Sequence, residues 1–579
     1  MTATPPTWRI GAAIVRRRPG RFAAGAALWT VFFALPAAVG LLLQAVFDAI
    51  AGRGPAGLDV PTLLALLLAV EATRLVVFLG GIVVFTGWWV RLETLLRANL
   101  LRAQLSSRRR AQGPPVRSAP AAIPVFRDDV NDLLRFVDLW IDLFGVTLFA
   151  GIALAVMARV DAVLTLVVVL PLALVTVVTG VLAERIRRVR RRDREATAAV
   201  TGFLGSAYGS VLALKVAGAE EHAVARLRAL NARRRRTAVA DRVLGEAIEA
   251  FSGSSVDLAI GLVLLLAASS MREGTFTVGD LALFTSYLTS LALLPHVGGL
   301  LLARLRHAQV SAGRMGALLP GADATAAAAP QPLRLDGSPP APRTRSPRPA
   351  PAEVTLSAFG TADGRVADVD LRLAPGSFTV LCGAVGSGKS SLVRALLGLA
   401  GATAGHVHWN GEEVDDLAAH MTPPRCAYVP QVPRLFSATL RENLTVGLAT
   451  SETSLGAALH RAAFSEDLAS MHEGLDTLLG PRGVRLSGGQ LQRAATGRAL
   501  VADPALLVLD DLSSALDAAT EREVWCRIAA EGRATVLAVS HRAGALERAD
   551  QIVVLDGGRV RAVGTLEQLR ATGYDPLAG

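Results

Sequence analysis

Residues 383 to 390 read Gly383-Ala384-Val385-Gly386-Ser387-Gly388-Lys389-Ser390, between the apolar run Ser377-Phe-Thr-Val-Leu-Cys382 and the helical pattern Ser391-Leu-Val-Arg-Ala-Leu-Leu397. A strand, a glycine-rich loop and a helix in that order form a phosphate-binding loop, or P-loop. Gly386 and Gly388 let backbone N–H groups wrap a phosphate with no Cβ in the way, and the helix N-terminus adds positive potential. Ser390 can ligate magnesium, and Lys389 offers the outer phosphates a compact cation. The chain has only two lysines, Lys215 and Lys389, and uses arginine elsewhere, so a lysine here agrees with that role. The candidate phosphate-binding set is Gly383, Gly386, Ser387, Gly388, Lys389, Ser390 and Ser391.

Two further runs lie downstream. Leu506-Leu-Val-Leu-Asp510-Asp511 is an apolar strand ending in two carboxylates. P-loop enzymes place a metal-organising acid there, here Asp510, followed by a candidate water-activating acid, Asp511. Between the loop and this strand comes Leu486-Ser487-Gly488-Gly489-Gln490. Ser487 is a good N-cap, the two glycines bare the backbone, and a helical pattern continues to Leu500, so this is a second helix N-terminus suited to a phosphate.

Upstream the character changes. With 579 residues, 51% of them hydrophobic, and mean hydropathy +0.41, the chain is too apolar for disorder and too long for one core. From Phe22 to Phe47 it runs uncharged for about 26 residues, and a helix needs only ~20 to cross the hydrocarbon core. Arg16, Arg17, Arg18 and Arg21 precede this run, which reads as a retained anchor with its N-terminus inside rather than a cleaved signal. Apolar stretches at 60 to 90, 139 to 158, 162 to 183, 250 to 271 and 281 to 303 bring the expected spans to six, with both termini on one side.

Arginines 91, 97, 102 and 108 to 110 flank the first long loop, and the segment 184 to 192 after the fourth span is richer still, so that side is the cytoplasm. The two long loops, roughly 50 and 65 residues, carry helical periodicity and are too polar for lipid. Inside the spans, Glu71 and Arg74 share one helical face and are expected to neutralise each other. Asp142 and Asp257 are expected near a helix end or an aqueous cavity, and His296 beside the kink of Pro295, with substrate contact as the minority reading for each acid.

The net charge of +11 comes from arginines beside apolar runs, not from one polar recognition face, so a nucleic-acid role is not supported. Cys382, Cys426 and Cys526 are odd in number and not spaced for zinc, as expected in a reducing cytoplasm. Residues 320 to 352 are rich in Ala, Pro and Arg and read as an extended, solvated linker.

The order P-loop, Gln431, Leu486 to Gln490, Asp510, Ser514-Ala-Leu-Asp517 and His541 resembles the nucleotide-binding domain of ATP-binding cassette (ABC) transporters. With six spans ahead of it, the whole chain resembles a half-transporter of the exporter type. The resemblance implies an all-α six-helix transmembrane domain over 1–319, a linker over 320–352 and an α/β P-loop ATPase domain over 353–579. It implies ATP and Mg2+ as ligands, with Phe359 stacking on adenine and Ser390, Gln431 and Asp510 around the metal. It also implies His541 at the γ-phosphate and Ser487, Gly488, Gly489 and Gln490 closing a partner's site.

By the same resemblance the protein is a multi-pass ATPase of the cytoplasmic membrane, with both termini inside. It acts as a homodimer or heterodimer in contact with lipid and exports an unidentified substrate by alternating access. Coupling helices are expected near 115 to 124 and 206 to 215, the first made irregular by prolines 114, 115, 120 and 124. Two departures from the family stand out: Asp511 where Glu is usual, and Gly480-Pro481-Arg-Gly before the signature, where Glu often replaces Pro. The shorter Asp511 points to a slow base, and an alternative is therefore a degenerate-site partner subunit with little hydrolysis of its own. Uptake by the same fold is a third reading.

Overall fold

The computed structural model describes residues 7–53, 58–106, 119–319, 323–332, 341, 343–344, 349–480, 486–530 and 534–573. They fall into two compact units, one of residues 1–105 and 117–333 and the other of residues 106–116 and 334–579.

Among the described residues the first unit is mainly helical, with α1 (Thr7–Val15), α2 (Pro19–Ile50), α3 (Val60–Ser106), α4 (Val130–Val160), α5 (Ala162–Gly209), α6 (Glu220–Arg272), α7 (Val278–Leu291) and α8 (Leu293–Gly316) as its main elements. Among the described residues, four helical runs are long and apolar enough to cross a membrane: Pro19–Ile50, Val60–Leu105, Ala122–Val160 and Glu220–Arg272. The expected fourth span opens α5. The expected sixth is interrupted at Ala292, between α7 and α8. Pro295 explains the break, because it has no N–H to give the carbonyl of Leu291. Large apolar side chains such as Leu68, Val76 and Val83 stand exposed along α3, which in a chain of this hydropathy is a lipid-facing surface.

Small residues and buried polar groups set how these helices pack. A Cβ at Gly40 would lie 2.2 Å from the Tyr287 ring. The glycine therefore lets α7 approach α2 closely enough for the Tyr287 hydroxyl to donate to the Ala37 carbonyl at 2.6 Å. Near the other end of the same pair, the Gly279 N–H donates to Asp48 at 3.2 Å, while Gln44 donates to Asp280 at 2.6 Å. Helices α5 and α6 run side by side beyond their apolar ends, where Thr237 donates to Asp193 at 3.1 Å. A short helix, Val211–Val216, joins them within the second expected coupling region. Asp161 caps α5 through the N–H groups of Val163 and Leu164 at 2.8 and 3.0 Å, which makes the turn between α4 and α5 tight. Glu71 and Arg74 do pair, at 3.5 Å. Asp142 is half-buried and Asp257 exposed. The side chain of His296 lies outside the described residues, as do residues 115 to 118 of the first expected coupling region.

One part of the expected linker is packed. Ala324, Ala327 and Ala328 are buried against α1 and α3, and the Asn99 amide donates to the carbonyls of Ala327 and Ala329 at 2.7 and 2.8 Å. Alanines here fill a groove, so composition alone misreads residues 323–329 as solvated chain. Residues 333 to 340 and 345 to 348 lie outside the described residues.

Among the described residues the second unit holds ten strands: β1 (Val354–Thr361), β2 (Val369–Leu373), β3 (Phe378–Cys382), β4 (Ala402–Trp409), β5 (Glu412–Glu413), β6 (Cys426–Val429), β7 (Leu506–Asp510), β8 (Thr535–Val539), β9 (Gln551–Asp556) and β10 (Arg559–Gly564). One sheet has the order β2-β1-β4-β5, the other β10-β9-β3-β8-β7-β6. In the larger sheet β6, β7, β8, β3 and β9 are mutually parallel. Strand β7 is buried on both faces: Leu507 and Leu509 pack toward Trp525 and Phe464, and Leu506 and Val508 toward Leu392 and Leu396. Each such leucine is worth about 1.5–3 kcal/mol of burial. Because these strands are parallel, Cys382, Asp510 and Val539 end along one edge of the sheet, where a crevice for ligands forms.

Candidate functional site

The P-loop leaves β3 and enters helix α9 (Lys389–Leu396). At Gly388, with φ +100°, a Cβ would stand 2.6 Å from the Val366 side chain and 3.0 Å from the Arg365 carbonyl. At Gly383 it would stand 2.0 Å from the Leu555 carbonyl. The loop is thus threaded between two backbone segments that only glycine clears. Gly386 lies at the apex beside the fully exposed Val385. Lys389 folds back over the loop, its Nζ donating to the carbonyls of Gly383 and Ala384 at 2.7 and 2.8 Å and approaching the Ser387 hydroxyl at 3.4 Å. Burial lowers the Lys389 ammonium from its ordinary pKa, against the pull of Asp510 and Asp511. Ser391 is tied away from the cradle, donating to Asp363 at 2.8 Å.

Asp510 is almost completely buried at the end of β7. One carboxylate oxygen accepts from Ser390 Oγ at 3.1 Å and the other from the Tyr428 hydroxyl at 3.2 Å. Burial holds this carboxyl above the usual range, and the two hydrogen bonds pull it back. Asp511 follows with φ +54°, its N–H donating to the Val539 carbonyl at 3.0 Å, a backbone conformation that Asp tolerates better than most residues. Its carboxylate accepts from the Gln431 amide at 3.1 Å. Asp510 is in register with Val539 of β8, so the exposed His541 emerges two residues beyond, at the same edge. The structure therefore brings the P-loop, Asp510, Asp511 and Gln431 to one crevice, with His541 at its rim.

Ser487 caps helix α10 (Gly488–Val501) in a reciprocal capping box with Gln490. The Gln490 amide also donates to Asp467 at 3.0 Å, and Arg493 binds the same carboxylate at 2.6 Å. A Cβ at Gly489 would lie 3.0 Å from the Ala515 carbonyl, which packs the helix start against the Ser514-Ala-Leu-Asp517 turn. Asp517 caps the next helix, and the hydrogen bonds from Thr520 hold its carboxyl below the usual range. Among the described residues, no hydrogen bond of Ser487 to Gln490 reaches the P-loop. The Ser514 side chain and the Gly480-Pro481-Arg-Gly departure beyond Gly480 lie outside the described residues.

Phe359 needs correction. It is 1% exposed and packs in the core with Val366, Val369 and Leu381, so its ring has no free face for a base. Sequence reasoning passed over Tyr428, Asp363 and Asp467. The signal for Tyr428 was its place on β6, three residues before Gln431, but a tyrosine in a strand has no motif of its own.

The residues suit a nucleotide and a hard cation. The glycine cradle and the start of α9 suit a polyphosphate. Ser390 Oγ and an Asp510 oxygen offer paired hard donors 3.1 Å apart, and Mg2+ uses few protein oxygens when substrate phosphates and water complete its shell. Among the described residues there is no group of three or more His, Cys, Asp or Glu able to hold a metal, so a cation at Asp510 would lean on the nucleotide.

The chain matches two sequence families: ABC transporter transmembrane region over residues 30–293 and ABC transporter over residues 366–514. It is 29% identical over 414 residues to an ATP-dependent lipid A-core flippase of Burkholderia thailandensis, covering 71% of this chain and 68% of that protein. It is 31% identical over 415 residues to one of Thiobacillus denitrificans, covering 70% and 69%. The structure of a bacterial Atm1-family ABC exporter with ATP bound superposes with a TM-score of 0.70 over 97% of both chains at 22% identity, which supports the fold. A helical membrane region fused to a P-loop domain, with these family matches, makes the chain a member of the ABC transporters, as a multi-pass half-transporter of the exporter type.

Proposed function

We propose that two copies of this chain form an ATP-driven exporter of the cytoplasmic membrane, with both termini inside, that moves an amphipathic lipid toward the outer face. The observation that carries the dimer is the signature helix. Ser487, Gly488 and Gly489 open a well-capped N-terminus whose bonds go to Asp467 and its own helix rather than to the P-loop beside Asp510. Such an end suits the phosphates bound by a second copy. Lipid as the substrate rests on the relatives, which are named lipid A-core flippases.

On binding ATP, Lys389 exchanges the carbonyls of Gly383 and Ala384 for the outer phosphates, and the N–H groups at the start of α9 take the remaining phosphate charge. Ser390 and Asp510 would hold Mg2+, which supplies charge neutralisation at the phosphate oxygens. Asp511, with Gln431 on one oxygen, accepts the proton of the attacking water, and His541 stands at the γ-phosphate. Binding closes the dimer and hydrolysis reopens it. The comparisons lend no support to the alternative of a degenerate partner subunit.

Purification of the tagged full chain tests this reading. The expected result is a homodimer that hydrolyses ATP unaided. Co-purification in equal amounts with a different half-transporter, or no hydrolysis by the isolated chain, overturns it.

A further inference from the structure

We propose that Tyr428 is a positioning residue for Asp510, holding one carboxylate oxygen so that the other alone faces Ser390 and the cation site. This rests on the reading of Ser390 and Asp510 as the metal-binding pair. A buried carboxylate has two equivalent oxygens and several lone pairs. Rotation about its last bond would leave the metal-facing oxygen undefined unless something fixes the other one.

Tyr428 does this from β6. The strand pairs in parallel with β7, with Tyr428 opposite Val508. Its hydroxyl donates to one Asp510 oxygen at 3.2 Å, while the second accepts from Ser390 Oγ at 3.1 Å. The direction of the bond is fixed by chemistry: the ionised carboxylate can only accept, so the phenol gives its proton to Asp510.

The same strand leads through Pro430 into Gln431, whose amide donates to Asp511 at 3.1 Å. Both carboxylates at the end of β7 are therefore tied to one strand exit. The Tyr428 bond lies within the sheet, and the Gln431 bond lies in the loop beyond it. The first tie therefore does not depend on how the loop is arranged.

The test is nucleotide binding by the purified full chain, using a fluorescent ATP analogue first in EDTA and then across a Mg2+ titration. Tyr428→Phe removes the hydroxyl and keeps the ring. The expected result is a metal midpoint about tenfold higher, the low end for losing a hydrogen bond to a charged group, with affinity in EDTA unchanged and the variant still unfolding cooperatively. Excess Mg2+ should restore phosphate release to the wild-type rate.

If Tyr428→Phe leaves the midpoint in place, or lowers affinity equally with and without metal, the positioning role is wrong. Should Tyr428→Phe fail to fold, Tyr428→Leu, which also lacks the hydroxyl, is measured in its place, and an unmoved midpoint there overturns the role. A wild-type chain that binds nucleotide without regard to Mg2+ overturns the metal-site reading itself, and the proposal with it.

Discussion

Replacing Asp511 in two directions separates reach from charge. In Asp511→Asn the side-chain oxygen can still accept from Gln431, which now sits 3.1 Å away, so the crevice keeps its geometry and loses only the base. General-base catalysis is worth roughly 10²–10⁴-fold, and turnover should fall by at least ~10²-fold with nucleotide affinity retained. Asp511→Glu extends the carboxylate by one carbon–carbon bond. A misplacement of 1 Å costs on the order of 10²-fold, so the extension should raise turnover by up to that factor. Against the gain stands the backbone, since Asp511 has φ +54° and Glu lacks the tolerance of Asp there. A net gain of about tenfold is therefore expected from the balance of reach and strain. The assay is phosphate release by the purified chain in lipid nanodiscs at saturating Mg-ATP. Most of the wild-type turnover surviving in Asp511→Asn would refute the assignment of the base. A fall in Asp511→Glu with no loss of folded protein would refute the argument from reach.

Other perturbations follow from the same geometry. Lys389→Ala should abolish ATP binding or hydrolysis, because it removes the ammonium that now lies over the P-loop on the carbonyls of Gly383 and Ala384; binding and turnover are read on the purified variant against wild type. Gly388→Val should prevent nucleotide binding, since its Cβ would lie 2.6 Å from Val366; fluorescent-nucleotide titration checks it, and cooperative unfolding of the variant separates loss of the cradle from loss of the fold. For topology, a cysteine in place of exposed Arg159 should react with an impermeant maleimide in intact cells, and one in place of Glu221 only after permeabilisation.

The parts of this protein that sequence made legible are those whose chemistry demands particular neighbours in the chain. The P-loop needs glycine at 383 and 388 because Leu555, Val366 and Arg365 crowd them, and that need is written as a spacing. Strand β7 is buried on both faces and so appears as an unbroken apolar run before Asp510. Phe359 was misread because β1 shifts register between Leu356 and Phe359, which turns the ring inward without changing composition. Tyr428 and Asp467 make their contacts across long sequence separations, and no local pattern marks them. The break at Ala292 was foreshadowed only by Pro295, inside a run that hydropathy alone reads as continuous.

ATP-dependent lipid movement by the chain itself tests the central claim most directly. The full chain, reconstituted into vesicles with a fluorescent lipid whose outer-leaflet pool can be chemically quenched, receives Mg-ATP from outside, so that only transporters with outward-facing P-loop domains are energised. The quenchable pool should fall with time on adding ATP and stay constant in Lys389→Ala vesicles. Lipid redistribution that ignores ATP, or that proceeds equally in Lys389→Ala, would contradict it, as would brisk ATP hydrolysis with no movement of any lipid offered.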